Sequence, residues 1–245
     1  MKKILLAFTL VSAVIFSGCD TLNQVGKEVV KQAGDVLAEP TSAEMTSALK
    51  EALQVGTNNA AGFLNKPGGY LNNERFKIPF PPDAIKVATK LRNLGFGNQV
   101  DKFIETMNRG AEDAAKEAAP IFVNSIQQMT LTDARNILLG ADNSATMYFK
   151  GKTSDALYTA FSPKLKTSLD KFEATKYWGQ LTSTYNKIPG VKPVETDLVR
   201  YATNKALDGL FLKLSEEEKD IRTNLSARVS AQLKKVFGWA EAQKK

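Results

Sequence analysis

The chain has 245 residues, 43% of them hydrophobic, with 33 basic and 26 acidic residues, no histidine and a single cysteine. The absent histidine excludes Ser-His-Asp and Cys-His catalysis and His-ligated zinc, and one cysteine excludes any disulfide within the chain. A net charge of +7 without a cluster of Lys and Arg interleaved with aromatics argues against nucleic acid as a partner.

The first element is an address. Lys2 and Lys3 precede an apolar run, Ile4 to Phe16, and Ser17-Gly18-Cys19-Asp20 closes it with small residues. This is the layout of a secretory signal, and thirteen apolar-region residues fall short of the roughly 18 needed to span a bilayer. Phe16-Ser17-Gly18-Cys19 resembles a bacterial lipobox, in which the cysteine sulfur takes a diacylglycerol and becomes the first residue after cleavage. The usual motif prefers Leu where Phe16 stands. The alternative is an ordinary signal peptide that happens to end beside a cysteine. The lipobox implies a membrane anchor of two or three acyl chains at Cys19, each buried CH₂ adding about 0.8 kcal/mol. It places the protein in the bacterial envelope facing the periplasm, and Asp20 resembles the signal that retains lipoproteins in the inner membrane. Loss of residues 1–18 removes Lys2 and Lys3, so the charge of +7 becomes +5.

The expected organisation is therefore a signal peptide at 1–18, a lipidated and partly helical tether at 19–40, and a single all-helical domain at 41–245. In the tether, Leu22, Val25, Val29, Val36 and Leu37 share one face, so it either lies on the membrane or docks loosely on the body. Thr41-Ser42-Ala43-Glu44 reads as a capping box opening a helix through Met45, Leu49, Leu53, Ala60 and Phe63, which Lys66-Pro67-Gly68-Gly69 stops. Phe76, Ile78 and Phe80 alternate with Lys77 and Pro79, predicting one short extended segment near 74–80, with prolines that bar it from a central strand. Helices follow over Asp83–Leu94 and Asn98–Ala118, and Pro120 forces a kink or restart before Ile121–Met129. Thr130-Leu131-Thr132-Asp133 is a second capping box, for a helix that Gly140 ends.

Asp142-Asn143-Ser144 begins the next helix, a further stripe runs from Thr153 to Phe172 with Pro163 as a boundary, and Tyr177, Trp178, Leu181 and Tyr185 mark an aromatic-rich helix. Asp197–Leu214 is apolar on one face. Ser215-Glu216-Glu217-Glu218 then reads as the cap of a new short helix, with acids at its positive end. Ser226–Lys245 closes the chain with Val229, Leu233, Val236 and Phe237 inward. The fold class is all-α, an irregular multi-helix bundle.

Several segments resemble a bacterial family catalogued as a domain of unknown function, found in exported proteins and lipoproteins. They are Met107-Asn108-Arg109 with Ala111-Glu112, Met129-Thr130 with Asp133-Ala134 and Ile137-Leu138, and Tyr148-Phe149. Further on come Lys205-Ala206-Leu207-Asp208-Gly209-Leu210-Phe211, Glu217-Glu218 with Ile221-Arg222, and Leu233-Lys234-Lys235-Val236-Phe237-Gly238. The resemblance runs from about Ser47 to Gly238 and implies an all-helical envelope domain. It supplies no activity, ligand or catalytic residue.

No phosphate-cradling loop motif and no calcium-loop pattern occurs, so no cofactor or metal is expected. Carboxylate chemistry is what remains. Asn108, Arg109 and Glu112 share one helix and either line a cleft or form a surface ion pair. Asp208-Gly209 lies inside an apolar helix, where a close helix crossing accounts for the glycine and a buried bond, with Arg222 as candidate partner, accounts for the acid. A second carboxylate, Asp133 or Asp142, would make Asp208 an acid or base. Tyr177, Trp178 and Tyr185 form either a sugar-stacking platform or core. Three functions fit these residues: a non-catalytic binding or interaction module displayed to an envelope protein partner, a carrier of lipid or another small hydrophobic ligand, or a carboxylate-based hydrolase or lyase of cell-wall polymer.

Overall fold

The computed structural model describes residues 39–243, apart from 172, 188, 191, 192, 194 and 196. The signal sequence, Cys19 and the amphipathic segment 21–38 therefore lie outside the described residues, as do Phe172 and Ile188 and the side chains of Tyr177, Leu181 and Tyr185. From Pro40 onward the chain gathers into one unit.

The first helix, α1 (Ser42–Leu64), starts where its capping box dictates. The Thr41 hydroxyl accepts from Glu44 N at 3.2 Å, and Glu44 Oε2 accepts from Thr41 N at 2.8 Å. Two end N–H groups that no turn of helix could satisfy are thus bonded. A 3₁₀ turn (Pro82–Ala84) leads into α2 (Ile85–Asn93), followed by α3 (Gly97–Ala115), α4 (Ala118–Gln127), α5 (Leu131–Leu139), α6 (Ser144–Asp170), α7 (Ala174–Tyr185) and α8 (Leu198–Thr223). A second 3₁₀ turn (Leu225–Ala227) precedes α9 (Ala231–Ala242), and no strand occurs among the described residues. The fold is all-α.

The long helices do the organising. α6 packs between α3 and α8, while α1 lies across α8, α4, α5 and α9. Three rings meet at the centre: Phe122 of α4 stands edge-on to Phe149 of α6 at 5.1 Å and to Phe211 of α8 at 6.4 Å. Pairs of this geometry contribute about 1 kcal/mol each beyond their area. A second ring cluster joins Phe80, Phe103 and Trp178, and the Trp178 indole donates to Glu195 O. Trp178 is core, not a stacking platform.

Three expectations about helix bounds and facing are overturned. Pro163 does not bound a helix, because α6 runs through it for 27 residues. Phe149, Thr153, Leu157, Phe161, Leu165 and Leu169 recur every four residues and are all buried, on a helix packed against α3, α4 and α8, and their packing outweighs a proline cost of about 3 kcal/mol. Ser215 does not cap a new helix either. α8 continues through Glu218 to Thr223, because Glu218 and Arg222 are themselves buried and bonded there. Val229 points outward at 66% exposure, since the 3₁₀ turn at Leu225–Ala227 resets the face before Ser230 caps α9.

The short extended segment alternates as its sequence does, with Phe76 and Ile78 buried, Phe80 half-buried and Pro79 exposed. Beside it, a Cβ on Gly209 would come within 2.9 Å of Tyr70 Cε1. The close approach at Gly209 is thus made by a loop tyrosine, whose hydroxyl donates to Ala206 O at 2.7 Å, and not by a crossing helix.

Candidate functional site

The residues singled out in the sequence fall into four separate places. Asn108 and Glu112, on the buried face of α3, hold the loop that follows α1. The Asn108 amide accepts from Ile78 N at 2.8 Å and donates to Ile78 O at 2.9 Å, replacing the strand partner that the segment lacks. Glu112 Oε1 accepts from Gly68 N, Tyr70 N and Leu71 N at 3.0–3.3 Å, and Oε2 from Arg109 at 2.7 Å. Only Arg109 is exposed. The trio is neither a cleft lining nor a plain surface pair; it is a carboxylate and an amide closing a loop.

Arg222 belongs to a second network, built around a residue the sequence reading had placed at a helix start. Glu218 is buried, and its carboxylate accepts from Ala145 N, Thr146 N and the Thr146 hydroxyl at 2.8–2.9 Å, the first turn of α6. Arg222 donates to Glu218 through Nε and Nη2, and to Ile137 O and Leu138 O in the last turn of α5. An anion thus meets the positive end of one helix and a cation the negative end of another. Arg228, also buried, repeats the device, donating to Ile221 O and Arg222 O at the end of α8 and to Glu241. Asp208, proposed as Arg222's partner, is exposed and pairs with Lys205 at 3.1 Å. Fourteen residues apart on one helix, Asp208 and Arg222 are separated by about 21 Å of axial rise.

Asp142 is exposed and lines a groove of about 140 Å³ together with Leu138, Thr223, Phe237 and Glu241. Asp133 sits elsewhere, so Asp133, Asp142 and Asp208 do not converge.

Asp133 opens onto a polar cleft of about 220 Å³ between α4, α5 and α6. Its Oδ2 completes the second capping box, accepting from Thr130 N at 3.0 Å and the Thr130 hydroxyl at 2.8 Å. Those Thr130 bonds, hydroxyl first, hold the carboxyl below the usual carboxylate range, helped by the charge of Lys152. Tyr148 faces it from α6. Burial pushes the phenol above its ordinary value, the Asp133 charge adds to that, and the nearby Ser125 hydroxyl pulls the other way. Ser125 Oγ is buried and lies close enough to act on the phenol, yet makes no hydrogen bond of good geometry. Lys152 is exposed on the rim with no ion pair among the described residues. Asn124 and Gln128 add an amide pair to the polar lining, and Ile121 and Ala156 add apolar surface.

The cleft holds donors, acceptors, one ring and one charge of each sign. Such a surface can bind a polar group; it lacks a nucleophile paired with a base. Among the described residues no three acids or sulfurs gather for a metal. The apolar gap between α1, α8 and α9 is only about 20 Å³, room for a water but not an acyl chain. No described helix is long and apolar enough to cross a membrane. Ser125, Tyr148 and Lys152 escaped the sequence reading because they come from two helices that only the fold brings to Asp133.

The model of a family described as "Protein of unknown function (DUF4197)" matches residues 39–238. No curated protein and no solved structure matches the chain.

Proposed function

The chain belongs to the DUF4197 family, and from that premise we propose that it is a non-catalytic binding module, lipid-anchored through Cys19 in the bacterial envelope, with its site in the cleft between α4, α5 and α6. One observation carries the reading. Elsewhere in the described body, buried charged groups such as Glu112, Glu218, Arg222 and Arg228 are bonded to loop or helix-end backbone, whereas the cleft leaves the Ser125 hydroxyl without a hydrogen bond and the Lys152 ammonium without an ion pair, beside a Gln128–Asn124 amide pair that keeps a donor and an acceptor spare. The lipobox-like Phe16-Ser17-Gly18-Cys19 supports the anchor, and Asp20 supports the inner membrane.

A photo-crosslinker placed at Gln128 tests the site in intact envelopes. The expected result is one discrete adduct from position 128 that the same group at exposed Lys219 does not give. Equal labelling from both positions would remove the cleft from consideration. The intact mass of the mature protein tests the anchor separately, since a chain starting at Cys19 must carry the added acyl mass.

A further inference from the structure

Among the exposed large apolar residues of the body, Phe63, Leu131, Met147 and Leu212 each stand alone on their helix, and the others form two sets close in sequence. One is at α2, where Ile85, Leu94 and Phe96 are 54%, 63% and 47% exposed. The other is the turn between α8 and α9, where Leu225 and Val229 are 61% and 66% exposed. Single exposed apolar side chains need no explanation, but two in one seven-residue turn do when something nearby can cover them.

The second group lies beside the point where the described body begins. Lys235 donates to Glu44 Oε1 at 2.8 Å, and Gln232 donates to Glu44 O at 3.2 Å, tying the first turn of α9 to the first turn of α1. Val229 is three residues before Gln232, so the two Cα atoms are at most about 11 Å apart. Pro40 precedes Thr41 directly. The α2 group is reached from the other end of α1, after about 34 Å of helix and the loop that Glu112 and Asn108 hold. Only the second group therefore lies near Pro40, from which the sequence leads back to Cys19, 21 residues earlier.

We infer that the 224–230 turn is a membrane-docking element, which inserts Leu225 and Val229 into the surface of the bilayer that holds the anchor. This rests on the lipid-anchor reading above. Two side chains are too little apolar surface to hold a free body on a membrane. With the chain anchored, docking becomes intramolecular, and a weak contact suffices to orient the body. The turn is held from within: Ala227 N and Arg228 N bond inside it, Asn224 Oδ1 accepts from Ser226 N, and the buried Arg228 fixes it to α8. Docked this way, the body presents its α2 end away from the membrane.

The test supplies the anchor artificially, so that it does not depend on native lipidation. Residues 19–245 carrying Cys19→Ser and an amino-terminal hexahistidine tag are attached to phosphatidylethanolamine–phosphatidylglycerol vesicles containing a nickel-chelating lipid. Single Leu225→Cys, Val229→Cys, Leu94→Cys and Phe96→Cys variants then each carry one environment-sensitive dye. Docking predicts at least a twofold rise in emission, and quenching by nitroxide-labelled lipid, at 225 and 229 but not at 94 or 96. The rise disappears when imidazole releases the protein. Dyes at 225 and 229 that stay in water, or a rise at 94 or 96 instead, overturn the assignment. Failure of native anchoring is read independently, from the mass of the mature chain.

Discussion

The joint around Glu218 and the cleft around Asp133 use the same ingredients to opposite ends. Each places a carboxylate at the start of a helix, α6 in one case and α5 in the other, with hydroxyl and backbone donors on it. At the joint the carboxylate comes from a distant helix, is buried and is closed off by Arg222. At the cleft it comes from the helix's own third residue, is half-exposed, and faces a phenol and an ammonium that hold nothing firmly. The first arrangement fixes three helices to one another. The second caps one helix and leaves a polar surface beside it. Whether a carboxylate is sealed into a joint or left facing a cleft is decided here by what closes over it.

The largest effect is expected where closure is complete. Glu218→Ala or Arg222→Ala strands a buried charge and should cost about 3–5 kcal/mol in urea unfolding. If either substitution is neutral, the joint is not a joint. Glu112→Ala orphans three loop N–H groups and should cost about 3 kcal/mol, with faster amide exchange confined to residues 66–80. Gly209→Ala brings a methyl against Tyr70 and should cost about 1–3 kcal/mol, relieved in combination with Tyr70→Leu.

Substitutions at the cleft should do far less. Asp133→Ala removes a cap and should cost about 1 kcal/mol, whereas Ser125→Ala and Lys152→Ala should fall within about 0.5 kcal/mol of the unchanged protein. A loss of several kcal/mol at Lys152 would make the cleft structural too.

The smallest effect is one of pH. Lys235 and Thr41 hold the Glu44 carboxyl down at about 2, and the Thr130 bonds hold that of Asp133 below its ordinary value. A depressed carboxyl adds stability that is present above its unfolded pKa, near 4, and is lost as pH falls through the folded value. Unfolding midpoints should be flat in these two groups from pH 8 to 5 and decline between about pH 4 and pH 2. Glu44→Gln and Asp133→Asn should each soften that decline, and a decline beginning above pH 5 would contradict the assignment.

What could be read in the sequence was local. Both capping boxes, the glycine stop after α1 and the alternation of Phe76, Ile78 and Phe80 involve neighbours within a few residues, and each is where it was expected. Helix continuity was not legible at Pro163 or Ser215, because packing against α3 and α8 and the buried Glu218–Arg222 pair override local breakers. Glu218 was expected at the positive end of a helix of its own; it lies inside α8 instead and meets the positive end of α6, some 70 residues earlier in the chain. Glu112 shows the same limit, since its partners lie 41–44 residues away. Of the cleft only Asp133 was visible, through its cap; Ser125, Tyr148 and Lys152 have no spacing that marks them.

Hydrogen-exchange mass spectrometry of the purified protein, with and without detergent-solubilised envelope from cells lacking it, tests the proposed binding site most directly. Slowed exchange in peptides covering 121–133 and 146–156, with 216–224 unchanged, is the predicted result. Protection that leaves the cleft helices untouched, or appears only at the joint, would contradict it.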